Sequence, residues 1–253
     1  MSTEASRSGR RHPPQGRIRC SAVFLDAGGV IVLPRRDLVA GALARVGVEI
    51  DRSLVPGAHY RAVRRLDSGL DAWGPPDPYG RAFCDALGVG EAHLPHALRA
   101  LSELAERSRS GQILWSEQTP NAVPTIVALR RAGVHVLVVT NSDGHARENL
   151  RDAAICQAGV GPGAVVSDVI DSGVVGSAKP DPAIFQVALR HAGVPADRVV
   201  HVGDTVRADV VGARAAGITP IHLDPNRACR AADHRHVRSL AGIWRHVTPA
   251  PAR

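Results

Sequence analysis

The strongest constraint on this chain is a rhythm. Four short runs rich in Val and Ile, "AVFLD" (22–26), "VHVLVVT" (134–140), "RVVHVG" (198–203) and "TPIHL" (219–223), alternate only weakly between apolar and polar residues, and "AVVSDVI" (164–170) reads as a fifth. Helical patterns lie between them at 122–132, 143–157, 182–192 and 207–217, introduced by "TPN", "TNS", "KPD" and "GDT". Strands with so little alternation need cover on both faces, which crossover helices on a parallel sheet provide. The repeat of strand, polar turn, capped helix and strand predicts an α/β fold with a doubly wound parallel sheet. Ligands of such sheets sit beyond the carboxyl ends of the strands. Asp26, Thr140 and Asp204 fall at those ends, with Lys179 on a loop beside them.

One long interval breaks the rhythm. From 35 to 116 the pattern is helical, with stretches near 37–47, 54–68, 79–87 and 93–108 interrupted by "SGLDAWGPPDPYG". The expected organisation is a core domain over 20–34 and 117–225, carrying a helical cap domain over 35–116 that could act as a lid above the strand ends. Residues 1–19 read as a flexible basic tail and 226–253 as a C-terminal basic segment. Within the cap, Trp73, Tyr79, His59, Arg61 and Arg65 are candidates to line a substrate pocket.

The net charge of +7 belongs to the ends: residues 1–19 carry +4 and 226–253 carry +5, leaving −2 on the body. With three Phe and two Tyr there is no stacking platform, so dedicated nucleic-acid binding is not expected. No apolar run approaches the roughly 20 residues needed to cross a bilayer, and no hydrophobic signal region follows Arg10 and Arg11. Four scattered cysteines lack a CxxC and any histidine at zinc-ligand spacing, and the twelve histidines, including "HRH" at 234–236, form no ligand pattern. Free thiols in the cytoplasm are expected, in a monomer or homodimer. Among 31 basic residues Lys179 is the sole lysine, which suggests a position that needs a compact ammonium rather than a wide guanidinium fork.

Asp26, at the end of its strand before Gly28 and Gly29, can be read as a turn carboxylate or as a nucleophile. The company it keeps decides. "FLDAGGVI" with Asp26, "VLVVTNS" with Thr140, "VGSAKPDPAIF" with Lys179 and "VVHVGDTVRADVVGARAAG" with Asp204 and Asp209 occur in that order. Together they resemble the haloacid dehalogenase superfamily, in its subgroup with a helical cap after the first strand, and the resemblance spans about residues 21–224. It implies a Mg²⁺-dependent phosphatase acting on a small phosphorylated metabolite, with Asp26 attacking phosphorus to give an aspartyl phosphate. It also implies Mg²⁺ held by Asp26, the carbonyl of Gly28 and Asp204, with Asp209 beside the metal; a plain helix N-terminal carboxylate is the other reading of Asp209. Thr140 and Asn141 would bind the phosphoryl group; capping of the following helix by Thr140 is the lesser alternative. Lys179 would offset the charge on Asp26 and on the phosphoryl group.

One departure stands out. Phosphatases of this kind usually carry a second Asp two residues after the nucleophile, as general acid and base; here that position is Gly28. A dehalogenating relative would have an aromatic residue there, and a phosphonate-cleaving one a cap lysine that this chain lacks. The alternative function is a catalytically weak or inactive relative that binds a phosphorylated ligand or a protein partner.

Overall fold

The structure, a computed structural model, describes residues 16–68, 77–107 and 113–250. Its strands in chain order are β1 (Ile18–Cys20), β2 (Ala22–Leu25), β3 (Val32–Pro34), β4 (Trp115–Gln118), β5 (His135–Thr140), β6 (Cys156–Ala158), β7 (Ala164–Val166), β8 (Asp168–Asp171), β9 (Val199–Gly203), β10 (Thr219–Leu223), β11 (Arg235–Val237) and β12 (Val247–Pro249). The helices are α1 (Arg36–Ala44), α2 (Val55–Asp67), α3 (Pro78–Ala86), α4 (Leu94–Arg107), α5 (Ala122–Arg131), α6 (Ala146–Asp152), α7 (Ser172–Val175), α8 (Pro182–Ala192) and α9 (Gly212–Ala215).

The period of two along each central strand explains the layering. In β2 and β5, Val23, Leu25, Val136 and Val138 face one core with α5 and α6, while Ala22, Phe24, Leu137 and Val139 face the other with α8 and α9. With both faces apolar, the strands join into one parallel sheet in the order β11-β10-β9-β2-β5-β8. The fold is α/β, as the sequence rhythm predicts. Helix α8 is set by its ends: Asp181 caps the Ala183 N–H at 2.9 Å, Pro182 opens it, and Gly193 closes it in a left-handed conformation.

Helices α1 to α4 bury a separate apolar cluster that includes Leu43, Val55, Phe83 and Leu104. The chain enters this helical unit through β3 and leaves it through β4, and the two strands pair antiparallel as a ribbon. Among the described residues no helix is long and apolar enough to cross a membrane.

Three expectations need correction. The run 164–170 is not one strand: at Ser167 the chain leaves a small ribbon with β6 and enters the main sheet as edge strand β8. The helix expected over 143–157 ends at Asp152, because Ala154 turns to φ 54° and the chain drops into β6. Most consequentially, 226–253 is no mere basic segment, nor does the basic tail extend to residue 19. β11 extends the main sheet beside β10, and β12 pairs with β1. Arg17 donates to the carbonyl of Val247 at 2.9 Å.

The C-terminal stretch also fills the core. Val237, Leu240, Ile243 and Val247 are no more than 5% exposed. At about 1.5–3 kcal/mol for each buried side chain, they contribute roughly 6–12 kcal/mol, comparable with the whole net stability of about 5–15 kcal/mol. A chain ending at residue 225 should therefore fail to fold, seen as loss of cooperative melting by circular dichroism; a soluble truncation that melts like the full chain contradicts this.

Candidate active site

Register gathers the predicted residues. Leu25 pairs with Val138 on one side and Val202 on the other, and the Asp26 N–H donates to the Val202 carbonyl at 2.9 Å. Asp26 therefore lies between Thr140, the last residue of β5, and Asp204, just past β9. Lys179 enters on the loop between α7 and α8. Its Nζ is 2.8 Å from Asp26 Oδ1 and 2.7 Å from Asp209 Oδ1, and the side chain is buried. Asn141 holds that loop from both sides, donating to the Lys179 carbonyl at 2.9 Å and accepting from the Lys179 N–H at 2.8 Å.

Asp209 is fully engaged. Besides Lys179, its Oδ1 meets His201 Nε2 at 2.8 Å, while its Oδ2 accepts from the Thr205 N–H at 3.0 Å and hydroxyl at 2.7 Å. Val206–Val211, wound as a π-helix, carries it into the core. With both oxygens committed, Asp209 anchors Lys179 from behind. Gly203 is required here, since a Cβ would run into the Asp209 carboxylate.

Burial dominates the electrostatics. It pushes Asp26 up to about 7, against the pull of Lys179 and with reinforcement from Asp209 and Asp204. Burial alone would lower Lys179, but Asp209 and Asp26 hold it above its ordinary value. Burial would likewise raise Asp209, yet Lys179 and His201 hold it below the usual carboxylate range.

Asp26, Asp204 and Asp209 bring one oxygen each to within 4.8 Å of one another. Three carboxylates against one ammonium leave two negative charges, and all the donors are hard oxygens, so the set fits a small divalent cation. Asp26 Oδ1 already accepts from Lys179 and from the Ala27 N–H at 2.7 Å, and Asp204 Oδ2 takes His59 Nε2 at 2.9 Å. Asp26 Oδ2 and Asp204 Oδ1 are left to serve it. Gly29, at φ 69°, permits this approach: a Cβ would collide with Asp204 Oδ2.

Beside these groups opens a cavity of about 390 Å³, lined on the core side by Asp26, Gly28, Thr140, Asn141, Lys179 and Thr205, and across it by Ala105 and Trp115. Trp115 is the residue that sequence reasoning missed. A Cβ on Gly28 would rest in ordinary contact with its ring, at 3.4 Å, so the indole packs beside the place where a second Asp would begin. Nothing local in the sequence marks Trp115, because β4 meets Gly28 only through its ribbon with β3. The other candidates among the described residues do not line the cavity. His59 bridges Asp204 and the Tyr79 hydroxyl, 2.9 Å from each; Arg61 donates to the Ala86 carbonyl and Arg65 pairs with Asp85; Trp73 lies outside the described residues.

Comparison with known proteins agrees with this geometry. The family model for haloacid dehalogenase-like hydrolases matches residues 20–217. The chain belongs to that family. It is 35% identical to a phosphoserine phosphatase from Thermus thermophilus over 157 residues, 61% of this chain and 57% of the relative, so it spans little more than half the relative's length. It is 28% identical to a phosphoglycolate phosphatase from Pseudomonas fluorescens over 212 residues, 83% of this chain and 71% of that one. In fold it resembles a HAD phosphatase from Thermococcus onnurineus, with a TM-score of 0.51 at 22% identity over 89% of this chain and 96% of the other.

A raised Asp26 costs the protein stability as it ionises. The sign follows from linkage: a carboxyl that holds its proton more tightly when folded contributes stability below the unfolded value near 4, and loses it as pH rises through about 7. The melting temperature of Asp26→Asn relative to wild type, without added divalent cations, should therefore rise between pH 5 and pH 8. A difference that stays flat with pH would show that Asp26 is not buried as described.

Proposed function

We propose that the chain is a Mg²⁺-dependent phosphatase of a small phosphorylated metabolite, working through an aspartyl phosphate on Asp26. The observation that carries this reading is the convergence of Asp26, Thr140, Lys179 and Asp204 on one small cavity at the carboxyl edge of the sheet. One carboxylate oxygen of Asp26 attacks phosphorus, the bond from phosphorus to the leaving oxygen breaks, and that oxygen takes up a proton from water. Water then cleaves the acyl phosphate, releasing inorganic phosphate and restoring Asp26. Lys179 keeps Asp26 oriented and offsets charge on the phosphoryl oxygens. Thr140 donates its hydroxyl to one of them, and Asn141 keeps the Lys179 loop in place.

The Asp26 carboxylate, the Gly28 carbonyl and Asp204 would hold Mg²⁺, with Asp209 behind them. When bound, the cation neutralises the phosphoryl charge that would otherwise repel a carboxylate nucleophile. The helical unit acts as the cap, and a cavity of about 390 Å³ suits a small metabolite. Four free cysteines fit a cytoplasmic setting.

With Gly28 under Trp115, the leaving group meets no carboxylic acid at the usual position. General acid-base catalysis is typically worth ~10²–10⁴-fold, so the enzyme should favour leaving groups that need no proton. Phosphate release with Mg²⁺, measured across aryl, acyl, sugar 1- and primary alkyl phosphates, should fall steeply as leaving-group pKa rises. Asp26→Asn should abolish it while the protein stays folded. Gly28→Asp should flatten the dependence, and more fully when Trp115→Ala clears the ring beside the new side chain. Release by folded Asp26→Asn at the wild-type rate would eliminate the covalent mechanism. Binding of Mg²⁺ and phosphate esters with no release from any of them would favour a ligand-binding relative, the reading that the missing acid supports.

A further inference from the structure

Around Cys229 the sequence offers no zinc-ligand spacing and the histidines no pattern, yet the fold overturns both readings. His222 on β10, Cys229 in the following loop, His234 beside β11 and His236 on β11 each bring one nitrogen or sulfur to within 4.8 Å of the others. We propose that these four side chains form a second metal site, a closed four-coordinate centre for Zn²⁺ distinct from the carboxylate cluster.

The first argument concerns protons. His222 Nε2 lies 3.1 Å from the Asp204 carbonyl, which can only accept, so the ring proton sits on Nε2 and the lone pair on Nδ1. His234 Nδ1 lies 2.7 Å from Asp233 Oδ1, so its proton sits on Nδ1 and its lone pair on Nε2. Asp233 also takes the Arg214 guanidinium at 2.7 Å, a group that can only donate, so the Asp233 carboxylate serves as acceptor. The two inner nitrogens, His222 Nδ1 and His234 Nε2, then face each other at 3.2 Å with lone pairs and no proton between them. A shared cation removes that repulsion.

Distances give the second argument. A tetrahedral zinc centre with Zn–N of about 2.0–2.1 Å and Zn–S of about 2.3 Å has edges of roughly 3.4 Å between nitrogens and roughly 3.6 Å from nitrogen to sulfur. The corresponding separations are 3.2 Å between His222 and His234, and 3.7 Å from Cys229 Sγ to His234 Nε2. The third argument is an orphan. His236 Nε2 is shut off from solvent and has no hydrogen-bond partner among the described residues, while its ring packs 4.4 Å from that of His234 and 5.3 Å from that of His222.

Three imidazoles and one thiol suit zinc and not magnesium. On binding, the Cys229 thiol releases its proton to solvent as the sulfur–metal bond forms. The outer partners are also in place: Asp233, itself paired with Arg214, orients His234, and the Asp204 carbonyl orients His222. Four protein ligands leave no open position, so the role is structural. The metal would fasten 226–237 to the edge of the sheet, and its His222 ligand reaches the backbone of Asp204.

Metal analysis of the full-length protein after desalting should find one zinc per chain. After stripping and reloading with Co²⁺, the absorption spectrum should show intense tetrahedral bands and a sulfur-to-cobalt charge-transfer band. The latter separates this centre from the oxygen-only carboxylate cluster. Cys229→Ser should lose the charge-transfer band, and Asp233→Ala, which leaves all four ligands, should weaken zinc binding roughly 10–100-fold. Zinc at a hundredfold excess over Kd should raise the melting midpoint of the stripped wild type by roughly 5–10 °C. A stripped wild type that takes up no zinc, a cobalt spectrum without the sulfur band, or zinc binding unchanged in both variants would each overturn the proposal.

Discussion

One ammonium group among buried carboxylates sets the terms for the rest of this molecule. Lys179 Nζ touches Asp26 at 2.8 Å and Asp209 at 2.7 Å, with Asp204 close by, where little water reaches. Charges taken out of water cost several kcal/mol each unless paired and hydrogen-bonded, and removing one member of such a pair typically costs about 3–5 kcal/mol. A compact ammonium satisfies two carboxylates at once in a space that a planar fork would not fit. The same charge imbalance, two negatives in excess, is what makes the place receptive to a divalent cation and a phosphoryl group.

The scaffold meets that demand with backbone order before side chains. Parallel register puts Asp26 between the ends of β5 and β9, and the π-helical turn swings Asp209 behind Lys179. The helical unit is tied to the same loops through α2. His59 reaches Asp204, the Tyr60 hydroxyl donates to the Gly29 carbonyl at 2.7 Å, and Asp67 accepts from the Val206 and Arg207 N–H groups at 2.6 and 2.9 Å. Any motion of this unit away from the core must break these contacts, so the position of the helical unit and the carboxylate geometry are coupled through one helix.

The C-terminal stretch shows how misleading charge can be. Six arginines among residues 226–253 suggest a solvated tail, yet the apolar residues between them complete the core and close both the edge of the main sheet and the ribbon with β1. Arginine stems lie along apolar surface while their heads stay wet, which is why a basic composition and a folded segment are compatible. Asp224 joins this region to the sheet, accepting from the N–H groups of Ala228 at 3.0 Å and Cys229 at 2.8 Å.

What the sequence by itself determined is local and periodic. The apolar runs specify the central strands because a chain buried on both faces has few alternatives, and Asp181, Pro182 and Gly193 delimit α8 through backbone hydrogen bonds that involve only near neighbours. Asp26, Thr140, Lys179 and Asp204 are legible for the same reason, since each follows directly from the end of a strand or the start of a helix. Tertiary structure alone decided the rest. Trp115 over Gly28, His59 on Asp204, His201 behind Lys179 and the grouping of His222 with Cys229, His234 and His236 join residues distant in sequence or lying on different elements. Such contacts depend on which strand neighbours which and at what register, and local pattern carries no record of either.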